Sequence, residues 1–477
     1  MEKNRFYITT ALDYTNDVIH IGHAYQKVLA DVLARYHRKQ GDKTFFLTGT
    51  DEYGSTNERA AAAAGKKPKE YVDEIAAEYK RQLDALNISY DRFIRTTDPD
   101  HIKTVRKFYL KIRENGDIYK GNYTGRYCVS CESYKTEREV VNGGCELHPT
   151  RKLEKVSEEN YFFRWSKYET FLKAHLKNNP EFIQPESRRK EMLAFLDQGL
   201  KDLTISRQKE RVGWGIPVPD DPDQVIYVWF DALINYISGA PHFWPADIHI
   251  LGKDNVRWHT LLWPAMLKSA GYDLPTTIYA HGFLTLNGKK ISKTLGNIIR
   301  PGELIKKYKG ADPVRYYLLA KFSPAEGGDF SEKGLVETYN ADLANGLGNL
   351  VSRVAKMAEG ENLEKLKQYA ATAKAPSLWE EVGWKLEKYD FPGALNLIWF
   401  NISALDRWIT QKRPWDATGK ARLKAMGKII IAGEGLRGLL EIVEALEFFT
   451  PETAEKIKKQ FSGGKIVPAP PLFPRLS

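Results

Sequence analysis

The sequence predicts an α/β fold: a doubly wound parallel sheet carrying a short cysteine-rich insertion, followed by an all-α helical bundle. Three observations support this. Apolar, strand-like runs alternate with amphipathic helical stretches from Met1 to about Gly116, and the alternation resumes after about residue 216. The stretch between breaks that rhythm and holds all 3 cysteines. Beyond about Leu335 only the helical period survives.

The elements follow in order. Phe6–Leu12 and Thr44–Thr48 read as strands, Ala24–Gln40 and Pro68–Leu86 as helices, the first with Val28, Leu29, Val32, Leu33 and Tyr36 at helical spacing. Such alternation implies a parallel sheet whose ligand sits beyond the carboxyl ends of the strands, where His20, His23 and Asp51 fall. After the insertion, Val225–Phe230 and Ile248–Leu251 read as strands, Trp258–Ser269 as a helix and Thr277–Leu284 as a further strand. Long helices are expected at Asn340–Ala358, Leu378–Glu387, Pro392–Gln411 and Ala421–Phe449, with an interhelical loop within Glu359–Lys374. The expected domains are 1–116 and 216–272 for the halves of the sheet domain, 117–215 for the insertion, 273–335 for a connecting region and 336–462 for the bundle. The proline-rich tail, 463–477, cannot be helical and is expected to pack back on the body.

A chain of 477 residues has room for two to four domains. Its net charge of +10 favours a polyanionic partner such as nucleic acid. No signal pattern precedes the first strand and no apolar run approaches membrane-spanning length, so the expected location is cytoplasmic.

Cys128, Cys131 and Cys145 lie with His148 in the pattern Cys-x2-Cys, 13 residues, Cys-x2-His. A disulfide would leave an odd thiol and ignore the histidine. Two paired turns can instead set three thiolates and one imidazole tetrahedrally about Zn²⁺, and four protein ligands make such a site structural.

Two further strings suggest phosphate chemistry. His20-Ile21-Gly22-His23 opens a helix, where free N–H groups and the dipole attract anions. Gly22 leaves room for a flat base against the backbone. Lys290-Ile291-Ser292-Lys293-Thr294 follows Asn287-Gly288, a strong hairpin signal, and offers two lysines on a short loop. Together they describe a site that holds ATP for attack on its α-phosphate.

The ordered strings Thr9-Thr10-Ala11-Leu12, His20-Ile21-Gly22-His23, Thr48-Gly49-Thr50-Asp51-Glu52-Tyr53-Gly54, the cysteine knuckle, Tyr227-Val228-Trp229-Phe230-Asp231-Ala232, Gly252-Lys253-Asp254-Asn255, His281-Gly282-Phe283, the lysine loop, Asn349-Leu350-Val351-Ser352-Arg353 and Arg413-Pro414-Trp415 span nearly the whole chain. In this the sequence resembles the methionyl-tRNA synthetase family of class I aminoacyl-tRNA synthetases. The resemblance implies a Rossmann-like catalytic domain, a zinc-knuckle insertion, a stem-contact region at 273–335 and an anticodon-binding bundle. It also implies ATP-dependent activation of L-methionine to methionyl-adenylate with release of pyrophosphate, then transfer to the 3′ end of tRNA(Met) for protein synthesis. His20 and His23 would contact the phosphates; Lys290 and Lys293 would neutralise the departing pyrophosphate, with Mg²⁺ carried in on ATP. Gly252 and Asp254 would hold the ribose, and Gly22 and His281 would complete the ATP site. Asp51 would partner the methionine ammonium, with Ala11, Leu12, Tyr14, Trp229, Ala232, Tyr236, Trp258 and His259 around the side chain and Tyr14 or His259 donating to the sulfur. Asn349, Arg353 and Trp415 would read the anticodon by edge contacts and stacking.

The sequence departs from the family pattern at Asp13, commonly Pro, at Tyr53, usually His, and mildly at Ile291 and Thr294. Without the dimerisation domain some relatives carry, a monomer is expected. Synthetases for leucine, isoleucine and valine carry a far larger editing insertion, and cysteinyl enzymes need an open zinc position. A non-catalytic tRNA-binding relative would be expected to lose His20, His23 or Lys293, and a nucleotidyltransferase would lack the knuckle and the bundle.

Overall fold

The sheet in the computed structural model is entirely parallel, which is why its strands read as continuous apolar runs rather than alternating ones. Its strands are β1 (Arg5–Thr10), β2 (Asp13–Tyr14), β3 (Lys43–Asp51), β4 (Arg92–Arg95), β5 (Ile183–Gln184), β6 (Ile248–Gly252) and β7 (Thr277–His281). The order is β5-β7-β6-β1-β3-β2, with β4 also on β3. Thr9 of β1 lies opposite Leu47 on one side and His249 on the other, so the order reverses at β1. That reversal opens a crevice beyond Thr10 and Gly252, the place where such sheets bind ligands.

The structure describes residues 4–476 apart from 129–132, 136–139, 142, 146–147, 292–295, 371–375 and 434, together with the side chains of 123–124, 133–135, 148–151 and 156. The chain divides into two units: 1–19, 41–82 and 89–281 in the first, and 20–40, 83–88 and 282–477 in the second. Helix α2 (Ser55–Ala63) belongs to the first and helix α1 (Ile21–Gln40) to the second.

Within the first unit the insertion is built on a long antiparallel ribbon, Ile118–Cys128 against Glu154–Phe163. A smaller sheet of Val140–Val141, Gly144–Cys145 and His148–Lys152 sits in its loop. Two sequence expectations fail in this unit. The strand expected at Val225–Phe230 ends at Ile226, and Val228–Leu233 is helical. The run is buried except at half-buried Trp229, and a short buried apolar run has no period that separates strand from helix. The strand expected over Thr277–Leu284 stops at His281, and Leu284–Leu286 joins a different sheet. The helix expected at Trp258–Ser269 begins as a π-turn, Trp258–Leu262, before the α-helix Trp263–Ala270.

In the second unit, Leu284–Leu286 pairs antiparallel with Lys289–Lys290 and parallel with Gly328–Phe330. Asn287 and Gly288 have φ of 53° and 69°, the left-handed pair a two-residue hairpin requires. Helix α1 is tied in by the fully buried pair Asp31–Arg315, at 2.7 Å. Arg315 also donates to the carbonyls of Leu86, Phe448 and Phe449, so every donor position around its guanidinium is used. Removing one partner of such a pair costs about 3–5 kcal/mol.

The helices beyond Leu335 include Asn349–Met357, Leu378–Leu386, Phe391–Lys412, Gly419–Ile430, Leu439–Leu446 and Pro451–Ser462. Ser377 with Glu380 forms a capping box at one of them, and Asp390 caps another through the Gly393 N–H. The helix expected at Ala421–Phe449 is broken by a hairpin, Ala432–Gly433 with Leu436–Arg437, so strands do not vanish after Leu335. Glycines at 433, 435 and 438 cause the break: Gly435 has φ 72°, and a Cβ on Gly438 would lie 2.2 Å from the Ile431 carbonyl oxygen. The expected helix at Asn340 starts as a π-helix, Tyr339–Gly348. The Glu359–Lys374 loop contains a short helix, Leu363–Lys367, capped by Asn362. The tail has no helix; Ile466 exchanges backbone hydrogen bonds with Gly360 and Glu361, and Leu476 pairs with the Asn340 side chain. Among the described residues no helix is long and apolar enough to cross a membrane.

Candidate active site

In the second unit, α1 begins at Ile21, directly after His20, three residues earlier than the sequence suggests. Backbone amides fix both imidazoles there. The Gly22 N–H donates to His20 Nδ1 at 3.1 Å and the His20 N–H donates to His23 Nδ1 at 3.3 Å. Each Nδ1 is therefore an acceptor, which assigns the neutral-ring proton to Nε2. The rings stack with centroids 3.7 Å apart and planes at 23°. Gly22 is required by this stack, since a Cβ would lie 2.9 Å from His20 Cε1.

The lysine loop is anchored to the same turn. The Ile21 N–H, one of the first-turn donors that no helical carbonyl satisfies, donates to the Ile299 carbonyl at 2.9 Å. The Asn297 side chain closes the loop on the Lys290 carbonyl at 3.0 Å, and Ile291 is buried. Lys290 is exposed, with its ammonium 5.5 Å from the Phe283 ring. Lys293 lies outside the described residues.

The first unit holds a separate constellation around the carboxyl ends of β1, β3 and β6. Trp229 and Trp258 stack at 5.0 Å, and His259 meets the Trp229 face edge-on at 6.4 Å. The π-turn supplies Trp258 and His259, a local widening of the kind often found at functional sites. His259 Nδ1 faces the Asn255 carbonyl at 2.9 Å and so carries the proton, leaving Nε2 to accept from the Tyr236 hydroxyl at 2.7 Å. Burial pushes the His259 pKa down to about 4, so the ring is neutral. Burial likewise raises the Tyr236 phenol, with the Asp13 and Asp51 carboxylates adding to the rise. Both His259 ring nitrogens are thus engaged within the protein. Ala11, Ala232 and Asp51 are buried; Leu12 and Tyr14 are half-buried, and Tyr14 lies in register with Asp51.

Asp51 is braced from behind. Its neighbour Glu52 is fully buried and accepts from Thr50 Oγ1, from Arg95 Nε and Nη2, and from Thr97 Oγ1, all at 2.5–2.8 Å. The Asp51 carbonyl accepts from Thr15 N–H and the Asn57 side chain. Of the departures from the family pattern, Asp13 takes a hydrogen bond from Tyr79, and Tyr53 packs on Trp214 at 5.2 Å. Gly252 ends β6 in register with the buried His281, and exposed Asp254 follows in a 3-10 turn.

Cys128 and Cys145 are both buried, and Cys145 stands opposite His148 in the hairpin register. Two sequestered sulfurs suit a soft divalent cation. Cys131 and the His148 side chain lie outside the described residues, and among the described residues no metal-holding group of three is complete. In the second unit, Trp415 is 45% exposed with the Arg353 and Arg413 guanidinium groups 5.5 and 5.7 Å from its ring. Asn349 is exposed one turn before Arg353, whose head is held by Asp406 at 2.7 Å.

Two residues escaped sequence reasoning. His249 of β6 is fully buried, bonded through Nδ1 to Thr9 Oγ1 at 2.6 Å and packed 4.2 Å from the Tyr236 ring. A histidine inside an otherwise apolar strand, Ile248-His249-Ile250-Leu251, was the available signal. Arg207 is buried with its guanidinium 4.2 Å from the Tyr227 ring, donating to Ser206 O and Thr204 Oγ1. No motif marked it.

The chain matches the family model described as tRNA synthetases class I (M) over residues 6–156 and 149–355. It is 42% identical over 478 residues to a methionine–tRNA ligase of Thermotoga maritima, covering 96% of this chain and 75% of the relative. It is 48% identical over 367 residues to that of Thermosynechococcus vestitus, covering 74% and 69%. A structure of Mycobacterium tuberculosis methionyl-tRNA synthetase in complex with methionyl-adenylate superposes with a TM-score of 0.89 at 35% identity, over 99% of this chain and all of the other. On the stacked imidazole turn, the parallel sheet and these matches, the chain belongs to the methionine–tRNA ligase family of class I tRNA synthetases.

Proposed function

We propose that this chain activates L-methionine with ATP and transfers it to the 3′ end of tRNA(Met). The observation that carries the reading is the aromatic cluster of Trp229, Tyr236, Trp258 and His259, whose Tyr236 phenol feels the Asp51 carboxylate. A polarisable thioether packs well against ring edges, and a buried carboxylate suits an ammonium. In the first step a methionine carboxylate oxygen bonds to the α-phosphorus while the bond to pyrophosphate breaks. His20 and His23 donate through Nε2–H to phosphate oxygens, stabilising charge that grows in the transition state. Lys290 and Lys293 neutralise the departing pyrophosphate, and Mg²⁺ carried in on ATP would supply further positive charge to it. Gly252, Asp254 and His281 hold the nucleoside. In the second step a ribose hydroxyl of the terminal adenosine attacks the methionyl carbonyl and AMP departs. With His259 donating to Asn255, the Tyr14 hydroxyl is the donor for the methionine sulfur.

The bundle reads the anticodon through Asn349, Arg353 and Trp415, the exposed indole flanked by two guanidinium groups being a stacking platform of the kind single-stranded bases use. Cys128, Cys131, Cys145 and His148 would hold a structural Zn²⁺ in the insertion, which would supply folding stability there. The domain boundaries read from the sequence are retained in this proposal, as are a monomeric state and a cytoplasmic location. ATP–pyrophosphate exchange tests the activity. Exchange is expected to require methionine, and exchange supported by leucine or cysteine would overturn the substrate assignment.

A further inference from the structure

The first unit contains a cavity of about 220 Å³ that the activation chemistry leaves unused, lined by Ser55, Arg59, Tyr127, Glu154, Glu158, Arg207, Arg211 and Val212. Helix α2, the insertion ribbon and the segment 207–212 form its walls, with Glu154 directly opposite Tyr127 in register. Its charges are unequally committed. Glu158 accepts from Asn160 at 2.8 Å and pairs with Arg211 at 3.1 Å, and Arg207 is spent on Thr204, Ser206 and the tyrosine faces. Two exposed groups of opposite sign remain. Arg59 reaches only Ser55 Oγ, at 3.5 Å, and Glu154 has no hydrogen-bond or ion-pair partner among the described residues.

A simple anion would meet Glu154 and Glu158, and a simple cation would meet three arginines. A ligand that satisfies both groups carries an amine donor and a phosphate on one small, flat body. We propose that the cavity receives a cytidine or adenosine nucleotide of a single-stranded RNA end, its exocyclic amine donating to Glu154 while Arg59 holds the flanking phosphate. Carboxylates accept from the cytosine N4 amine, and arginine grips phosphate through its forked donors. Uracil offers a carbonyl where cytosine offers the amine, and a carboxylate repels it. The inference rests on the ligase reading, under which the RNA is the tRNA 3′ end approaching a site braced by the neighbouring Arg207–Tyr227 stack.

The test uses the whole chain and two tRNA(Met) transcripts, one natural and one with uridines replacing the two cytidines before the terminal adenosine. In the wild type, the uridine transcript should lower kcat/KM for charging by roughly 10-fold, within the range a good base contact supplies. Glu154→Ala should shrink that discrimination below about 2-fold, and Arg59→Ala should raise the KM of both transcripts alike. Methionine-dependent pyrophosphate exchange, which also reports folding, should stay at the wild-type level in both variants. Full discrimination retained by Glu154→Ala, or exchange falling as far as charging, would overturn the inference. Exchange that never required methionine would remove the ligase reading beneath it, an outcome plainly separate from the first.

Discussion

Gly22→Ala isolates the orientation of the imidazole pair from the stability of the fold. The added methyl would lie 2.9 Å from His20 Cε1 and 3.1 Å from Nδ1, whereas ordinary contact begins at 3.4 Å. The ring must retreat by roughly half an ångström or turn away. Either movement breaks the Gly22 N–H to Nδ1 bond and unstacks His23. A lost hydrogen bond is worth about 0.5–1.5 kcal/mol, and a misplacement approaching 1 Å at a reacting centre costs up to about 10²-fold. The exchange kcat should therefore fall by about 10- to 100-fold. The helix itself should gain, because alanine is favoured over glycine inside a helix by roughly 0.8–1 kcal/mol. Exchange kinetics, equilibrium methionine binding and thermal melting on one preparation give the answer. The two terms nearly offset, so a Tm close to wild type, unchanged methionine affinity and a reduced kcat are expected; full activity, or methionine affinity falling in step with kcat, would refute the reasoning.

Asp51→Asn should raise the KM for methionine by about 10- to 100-fold, the loss of one charge-assisted contact, with the KM for ATP unchanged in the same assay. Trp415→Ala should reduce tRNA charging at least 10-fold while exchange stays near wild type, stacking being worth about 1–3 kcal/mol per base; equal loss of both would contradict an anticodon role. Cys145→Ser should lower the zinc content of reduced protein and the Tm together, whereas zinc-free wild type with an unchanged Tm would remove the knuckle. Burial holds His259 near a pKa of about 4 and His101 near about 3. Unfolded histidines titrate near about 6.5, so as pH falls from there toward about 4 the unfolded chain takes up protons first. Denaturant midpoints should therefore drop through that window and stay flat above neutrality, with a smaller drop in His101→Asn.

Where one physical rule dominated, the sequence could be read to within a few residues. The strand Ile248–Gly252, the Asn287-Gly288 hairpin and the helix Phe391–Lys412 each obey a single pattern, burial on both faces, a left-handed turn pair or a 3.6 period. The misses fall where two rules competed. Tyr227–Leu233 is apolar enough for either state, and the structure makes Val228–Leu233 a helix. The helix expected through Phe449 ignored three glycines in six positions. At the site, histidine spacing was legible, but the backbone amides that select Nε2 as the proton carrier were not, because tautomers depend on distances. The engagement of His259 by both Asn255 and Tyr236 was hidden for the same reason.

The central claim is that His23 serves through Nε2–H while backbone holds its Nδ1. A glutamine amide nitrogen falls where Nε2 lies, and an asparagine amide nitrogen falls where Nδ1 lies. Methionine-dependent exchange by His23→Gln should retain a substantial part of the wild-type rate and His23→Asn almost none. Asparagine matching or exceeding glutamine would contradict the account.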